Sequence, residues 1–256
     1  MRPVGVVTRG TTARRRLRRP DRWLVTTHGP LLRRRDLLVV DLGFGEMPVT
    51  TIELAGRLHR INPTARVLGL DISAERVGAA QAQSADGLEF AVGGFELAGC
   101  RPHVVRAFNV LRQYDATEVP AAWRRMQEQL ATDGVILDGT CDETGRLASW
   151  VTLDATGPRS LSLALDPAVE PSSVAARLPK VLIHRNVPGQ PVHRLLADLD
   201  AEWQAHAPLT VFGVRQRLAA TGQGLRSRAW PVLDGPAIWR RGILTIAWQA
   251  LAAPDH

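Results

Sequence analysis

The twelve residues Leu37 to Pro48, LLVVDLGFGEMP, constrain the rest of the chain more than any other stretch. Leu37, Leu38, Val39 and Val40 form an unbroken apolar run, which suits a parallel strand covered on both faces. The run meets Asp41, then Gly43 and Gly45 one residue apart, and a helix is predicted to begin at Pro48. Pro48 fits a first helical turn, where no N–H is needed. Glycines at a strand-to-helix turn let the backbone bend sharply and let a ligand approach where a Cβ would stand. The stretch therefore predicts an α/β sheet with a small-molecule site at its carboxyl edge.

The segments that follow repeat the same unit. The helix from Pro48 carries Thr51, Leu54, Ala55 and Leu58 on one stripe, to about His59, and Asn62-Pro63 ends it. Ala65 to Leu70 is a second buried strand closed by Asp71, and Ser73 caps a predicted helix over Ala74 to Gln83. Leu88 to Val92 and His103 to Phe108 are the third and fourth strands. A helix from Thr117 follows, with Val119, Trp123, Met126 and Leu130 on one face, and then a fifth strand over Val135 to Leu137. Strands alternating with helices specify a parallel sheet. Beyond it, Trp150 to Leu153 and Ser160 to Leu165 flank a turn-forming segment, Asp154 to Arg159, punctuated by Gly157-Pro158, and predict an antiparallel hairpin. A loop over Ile183 to Pro191, helices over Val192 to Trp203 and Val211 to Ala220, and a closing strand over Ile243 to Trp248 complete the reading.

Charge is unevenly placed. Residues 1–35 hold eleven arginines against one acid, Asp21, so this segment is +10 and the remainder is 7 − 10 = −3. Such an arm could bind nucleic-acid phosphates or an acidic surface. Its one aromatic residue, Trp23, gives little to stack bases on, which favours a solvated or partly packed lead-in segment. Cys100 and Cys141 make neither a disulfide framework nor a zinc site, and no metal is expected. No apolar run nears the ~20 residues of a membrane span, and no apolar signal core follows the basic start, so a cytoplasmic location is expected.

Two cofactor classes fit a glycine turn followed by an acid at the end of the next strand. In both, Asp71 can take the two ribose hydroxyls. Dinucleotide sites want G-x-G-x-x-G, and here the third position is Pro48. Asp41 would also repel a pyrophosphate, whereas a carboxylate suits an ammonium and a sulfonium. S-adenosylmethionine is therefore the better fit.

On these residues the stretch from Leu37 to Gly139 resembles the class I S-adenosylmethionine-dependent methyltransferases. Asp41-Leu42-Gly43-Phe44-Gly45 matches the family's first motif, with Met47 or Pro48 where a third small residue is usual. Asp71 matches the ribose-binding acid, Gly94-Phe95-Glu96 the loop that packs on adenine, and Val104 to Leu111, including Asn109, the motif lining the methyl-donor pocket. RGTT, LRRPDRW, RAFNVLRQY, GTCDETGR and LIHRNVPGQPVH further resemble an actinobacterial methyltransferase-like group of unknown substrate. The resemblance implies a Rossmann-like methyltransferase sheet, mostly parallel with antiparallel C-terminal strands. It also implies a methyltransferase whose acceptor is unidentified, with a small molecule favoured.

Residues 1–35 are expected to form a basic arm and 36–256 one domain, with a cofactor core over 36–145 and a C-terminal hairpin, helices and strand over 146–256. Cofactor candidates are Asp41, Gly43, Gly45, Asp71, Gly94, Phe95, Glu96 and Asn109. Arg106, an arginine inside a strand, must be paired and is a candidate for the substrate side. Tyr114, Asp142, Glu143 and His184 are further substrate-side candidates, with Cys141 beside them, and no residue stands out as a catalytic base. Asn109 to Tyr114 lacks the N-P-P-Y box of amino-group DNA methylases. The rival functions are a non-catalytic cofactor-binding regulator and an RNA methyltransferase anchored by its arginines.

Overall fold

A computed structural model describes residues 3–252 of the chain, so Arg2 of the basic arm and the last four residues lie outside the described residues. Eight strands form one sheet in the order β3-β2-β1-β4-β5-β6-β7-β8. They are β1 (Leu38–Leu42), β2 (Arg66–Asp71), β3 (Leu88–Val92), β4 (Val104–Phe108), β5 (Val135–Cys141), β6 (Ala148–Asp154), β7 (Gly157–Ala164) and β8 (Ile243–Ala247). The first five run parallel. The last three continue as an antiparallel meander. The mostly parallel sheet and the antiparallel hairpin thus stand as the sequence pattern predicts, with the chain reversing at Ala155-Thr156 and Gly157 and Pro158 already paired in β7.

The helices are α1 (Arg18–Thr27), α2 (Gly29–Leu32), α3 (Val49–His59), α4 (Ala74–Ala80), α5 (Val119–Gln127), α6 (Lys180–Ile183), α7 (Pro191–Ala205), α8 (Val214–Ser227) and α9 (Pro236–Trp239). Ser73 caps α4 as expected, its hydroxyl accepting from the Arg76 amide at 3.3 Å. Alternate strand residues enter two cores because side chains alternate across a sheet. Val39, Val104 and Phe108 pack with Trp23, Leu24, Leu54 and Trp150 on the face of α1 and α3. Val40, Leu42 and Val105 pack with Trp123, Met126, Leu195 and Leu199 on the face of α5 and α7.

The arm is partly packed, one of the two forms expected of it: α1 buries Trp23, whose ring meets Trp150 edge-on at 5.3 Å. Two later elements run further than the sequence reading places them. β5 runs on to Cys141 rather than ending at Leu137. Its polar residues are tolerated because Asp138 accepts from the Trp123 indole at 2.9 Å and Thr140 donates to the Arg177 carbonyl. The last long helix runs over Val214–Ser227, beyond the expected end at Ala220. It holds Gly222 because a Cβ there would lie 2.5 Å from the Trp239 ring.

Candidate functional site

The sheet order reverses between β1 and β4, and open α/β sheets bind ligands outside the carboxyl ends of their strands at such a point. The glycine turn lies there. Gly43 (φ +73°) and Gly45 (φ +85°) both occupy the left-handed region. Space requires them as well: a Cβ on Gly43 would sit 2.5 Å from a Val110 methyl, and one on Gly45 2.6 Å from the Gly10 carbonyl oxygen. At the end of β2, the Asp71 carboxylate accepts from the Gly45 amide at 3.1 Å and the Ser73 amide at 2.9 Å. Arg76 stands 3.5 Å from the same carboxylate.

Asp41 borders the groove, lining the cavity of about 40 Å³ beside Gly43, but not as an open carboxylate. It stands in register with Arg106 of β4, and both point to the α1–α3 face. Arg106 Nε and Nη2 clasp the two Asp41 oxygens at 2.8 and 2.7 Å, while the Thr51 hydroxyl donates to Asp41 at 2.6 Å. Arg106 also donates to Asp21 of α1 at 2.6 Å and to the Thr50 carbonyl at 3.0 Å. Burial disfavours the Arg106 charge, but Asp21 and Asp41 outweigh it and hold the guanidinium more firmly protonated than usual. Arg106 and Asp41 thus depart from what the sequence predicts of them. Arg106 is sealed in the core rather than set on a substrate, and Asp41 has spent its charge on it. The contrast between sulfonium and pyrophosphate therefore cannot rest on Asp41.

What fills the groove is the chain itself. The Phe95 amide donates to the Val4 carbonyl at 2.9 Å, and the Val4 amide donates to the Glu96 carboxylate at 2.7 Å. Glu96 is buried, and its second oxygen accepts from the Gly94 amide at 2.8 Å. A Cβ on Gly94 would collide with the Val4 carbonyl. The segment then passes Tyr114, whose hydroxyl accepts from the Val6 amide at 2.6 Å, and Arg76, which donates to the Thr8 carbonyl at 2.9 Å. It reaches the glycine turn where the Glu46 amide donates to the Gly10 carbonyl at 3.0 Å. Residues 4–10 thus run from Glu96 past Asp71 to Gly45. Cavities of about 20 and 40 Å³ remain on either side of Gly43.

The other candidates divide. Asn109, at φ +60° after β4, bridges β4 and β5 by accepting from the Cys141 amide at 2.9 Å and donating to its sulfur at 3.2 Å. Burial pushes the Cys141 thiol up, which disfavours a thiolate nucleophile. Burial likewise raises Tyr114. Asp142 closes its own turn through the amides of Thr144, Arg146 and Leu147. Burial pushes its carboxyl up, and these bonds outweigh that and hold it below the usual range. Glu143 is exposed and lies 3.7 Å from Arg177. His184 is exposed at the end of α6, outside both cavities beside Gly43. The structure thus brings Gly43, Gly45, Asp71, Gly94, Phe95, Glu96, Asn109 and Tyr114 to one edge, and leaves Asp142, Glu143 and His184 elsewhere.

Sequence reasoning missed the arm's part in the site. Its signal was Gly5 and Gly10 set among small residues, with Gly5 at φ +136° and a Cβ there 2.8 Å from the Tyr114 hydroxyl. Arg16 and Arg19, counted with the basic arm, donate to main-chain carbonyls of Thr11, Asp142, Leu165 and Gly242.

No protein-family model matches the chain, and no curated protein does. Among solved structures it is similar to magnesium protoporphyrin IX methyltransferase from Synechocystis PCC 6803 with bound S-adenosylhomocysteine. That match has 26% identity over 48% of this chain and 53% of the other, at a TM-score of 0.38. An O-methyltransferase from neocarzinostatin biosynthesis, in complex with S-adenosylmethionine and 2-hydroxy-5-methyl naphthoic acid, matches at 22% identity over 47% and 38%, TM-score 0.33. A pericyclic reaction enzyme matches at 20% identity over 41% and 26%, TM-score 0.34. This chain spans about half of the first of these proteins or less of the others. At these TM-scores the likeness assigns no activity to it.

Proposed function

We propose that this chain binds S-adenosylmethionine across the carboxyl edge of β1, β2 and β4 and transfers its methyl group to a small-molecule acceptor. The observation that carries the reading is the pair after β3. The Phe95 amide and the Glu96 carboxylate stand side by side as donor and acceptor, and Val4 answers them with a carbonyl and an amide. An adenine edge offers the same two groups, a ring nitrogen that accepts and an amine that donates. Asp71 fits a ribose, since its two oxygens have lone pairs beyond those used by Gly45 and Ser73. The left-handed turn at Gly43 and Gly45 brings bare backbone to where a methionine tail would lie.

These residues suit the cofactor, but the space beside Gly43 and Asp71 does not while residues 4–12 lie over it, since the hollow of about 750 Å³ at Phe95 and Tyr114 reaches neither Gly43 nor Asp71. Sites for ligands of this size need roughly 300 Å³ or more. The arm and the cofactor therefore exclude each other. Magnitudes favour displacement. Six hydrogen bonds join residues 4–10 to the groove. At about 1 kcal/mol net each, they fall short of the roughly 1–2 kcal/mol per residue that ordering a backbone costs. Val4, Val6 and Val7 stay exposed and add little burial. Such a segment belongs to the low-stability end of a fold.

When bound, the cofactor supplies an electrophilic methyl group. The chain's share is to hold adenine at Phe95 and Glu96 and to hold ribose at Asp71. In-line displacement draws much of its rate from alignment, and no side chain is assigned here as a base.

Calorimetry with S-adenosylhomocysteine tests the binding step. A chain lacking residues 1–12 should bind more tightly than the full chain, and Asp71→Ala and Glu96→Ala should each abolish the signal. If neither chain binds, the reading fails. A labelled-methyl assay on cell extract tests the chemistry, and tight binding without transfer would make the groove a ligand sensor.

A further inference from the structure

A second concavity lies on the α1–α3 face, outside the groove at the strand ends, with a volume of about 820 Å³. α1 contributes Arg18 and Arg22 to it, α3 contributes Arg57 and its successor Arg60, and Arg215 of α8 with Arg240 and Arg241 after α9 adds to the rim. Among the described residues, no Asp or Glu lines it. Arg18, Arg19 and Arg22 belong to the basic segment 1–35, but residues 36–256 hold 32 − 11 = 21 basic and 25 − 1 = 24 acidic residues, so the gathering of Arg57, Arg60, Arg215, Arg240 and Arg241 beside them is set by placement and not by composition.

The protein leaves these guanidinium groups largely unanswered. Arg57 lies 3.7 Å from Asp21, but Asp21 is buried and already bound to Arg106 at 2.6 Å. Arg241 donates to the Thr26 hydroxyl at 2.9 Å. Among the described residues, no hydrogen bond or ion pair engages the guanidinium of Arg18, Arg22, Arg60 or Arg215. Burial and the neighbouring charges of Arg18, Arg57 and Arg241 lower the Arg22 pKa. Arg19 differs, since four carbonyls hold it, including Leu165 at 2.8 Å and Gly242 at 2.7 Å. It forms a fixed wall and not a free donor.

We propose that this cleft binds a small organic molecule carrying at least two phosphate charges. Planar guanidinium forks converging from four helical elements match the geometry of phosphate oxygens. The volume falls within the range for small-molecule sites. Val25, Ile61, Ala237 and Ile243 give the cleft an apolar part of its lining for the body of the ligand. Among the described residues the lining offers no aromatic ring for stacking bases, and its concave form suits a discrete ligand better than a polymer. The cleft shares no lining residue with the groove at Gly43, so the inference does not depend on the cofactor reading.

Calorimetric titration of the full chain with inorganic pyrophosphate, at low salt and in a phosphate-free buffer, tests it. Saturable binding is expected. Arg22→Gln combined with Arg60→Gln should weaken it about tenfold or more, as loss of charge-assisted hydrogen bonds does. Both side chains are exposed, so the variant should unfold at the same urea concentration as the parent. Arg124→Gln on the opposite face and Asp71→Ala should leave pyrophosphate binding unchanged, the latter even where cofactor binding is lost. Absence of binding, or equal binding by the double variant, overturns the proposal. A short single-stranded RNA that binds and is not displaced by pyrophosphate would also overturn it, in favour of a polymer surface.

Discussion

Arg106 and Asp41 face each other across β4 and β1, and the guanidinium grips the carboxylate with two parallel bonds of 2.8 and 2.7 Å. A third arm of Arg106 reaches Asp21, the one acid among the eleven arginines of residues 1–35. Two carboxylates from distant segments are thereby joined beneath the glycine turn. The contact fixes α1 to the sheet and makes residues 18–27 part of the fold, while residues 3–12 are held mainly by main-chain hydrogen bonds.

Removing Arg106 should therefore be costly. Arg106→Met leaves Asp21 and Asp41 buried without their cation, which costs about 3–5 kcal/mol. Replacing all three with apolar residues should recover most of that loss, because buried ion pairs seldom outdo good apolar packing. Urea unfolding of the single and triple variants measures both numbers. Equal stability of Arg106→Met and the parent would mean that the cluster is not formed.

Asp138 gives the pH dependence a sign. Burial, only partly offset by the Trp123 indole, raises its pKa from 3.8 to about 7. Its folded pKa lies above its unfolded one, so its contribution is intact below about pH 4 and is lost as pH rises towards and through 7. Asp138→Asn keeps an acceptor for Trp123 and carries no charge. It should match the parent near pH 4 and exceed it at pH 8, by up to about 4 kcal/mol. Parallel stability curves for the two proteins would remove this assignment.

The glycine turn can be tested by a double-mutant cycle. Gly43→Ala pays for a left-handed alanine, about 1–2 kcal/mol, and for a contact with Val110 that would stand at 2.5 Å. Val110→Ala should return the second part and leave the first. The coupling between the two sites should be about 0.5 kcal/mol or more. Additive losses in urea unfolding would show that Val110 does not press on the turn.

Sequence reading reached the sheet because its signals are local. The apolar run before Asp41, the acid closing β2 at Asp71 and the Gly157-Pro158 punctuation each act within a few residues. Arg106 could be marked as needing a partner, but its partner depends on the register of β1 with β4, which pattern does not encode. The extension of β5 was hidden because Asp138 and Thr140 look like loop residues until Trp123 and Arg177 are placed beside them. The arm's route was least legible. Its bonds to Glu96, Tyr114 and Gln113 use main-chain groups, which leave no trace in side-chain periodicity.

Val4 provides the sharpest test of that route. Proline at this position lacks the N–H that Glu96 accepts at 2.7 Å, while the carbonyl facing Phe95 remains. Val4→Pro should loosen residues 3–12 without touching the groove's own residues. Trypsin should then cut after Arg9 faster than in the parent, because cleavage follows the population of the open segment. S-adenosylhomocysteine should bind more tightly, since a ligand that needs the open form gains by the fraction released. Urea unfolding should stay within about 0.5 kcal/mol of the parent, as for surface changes generally. Faster cleavage with unchanged ligand affinity would mean that the arm lies over the groove without competing for it.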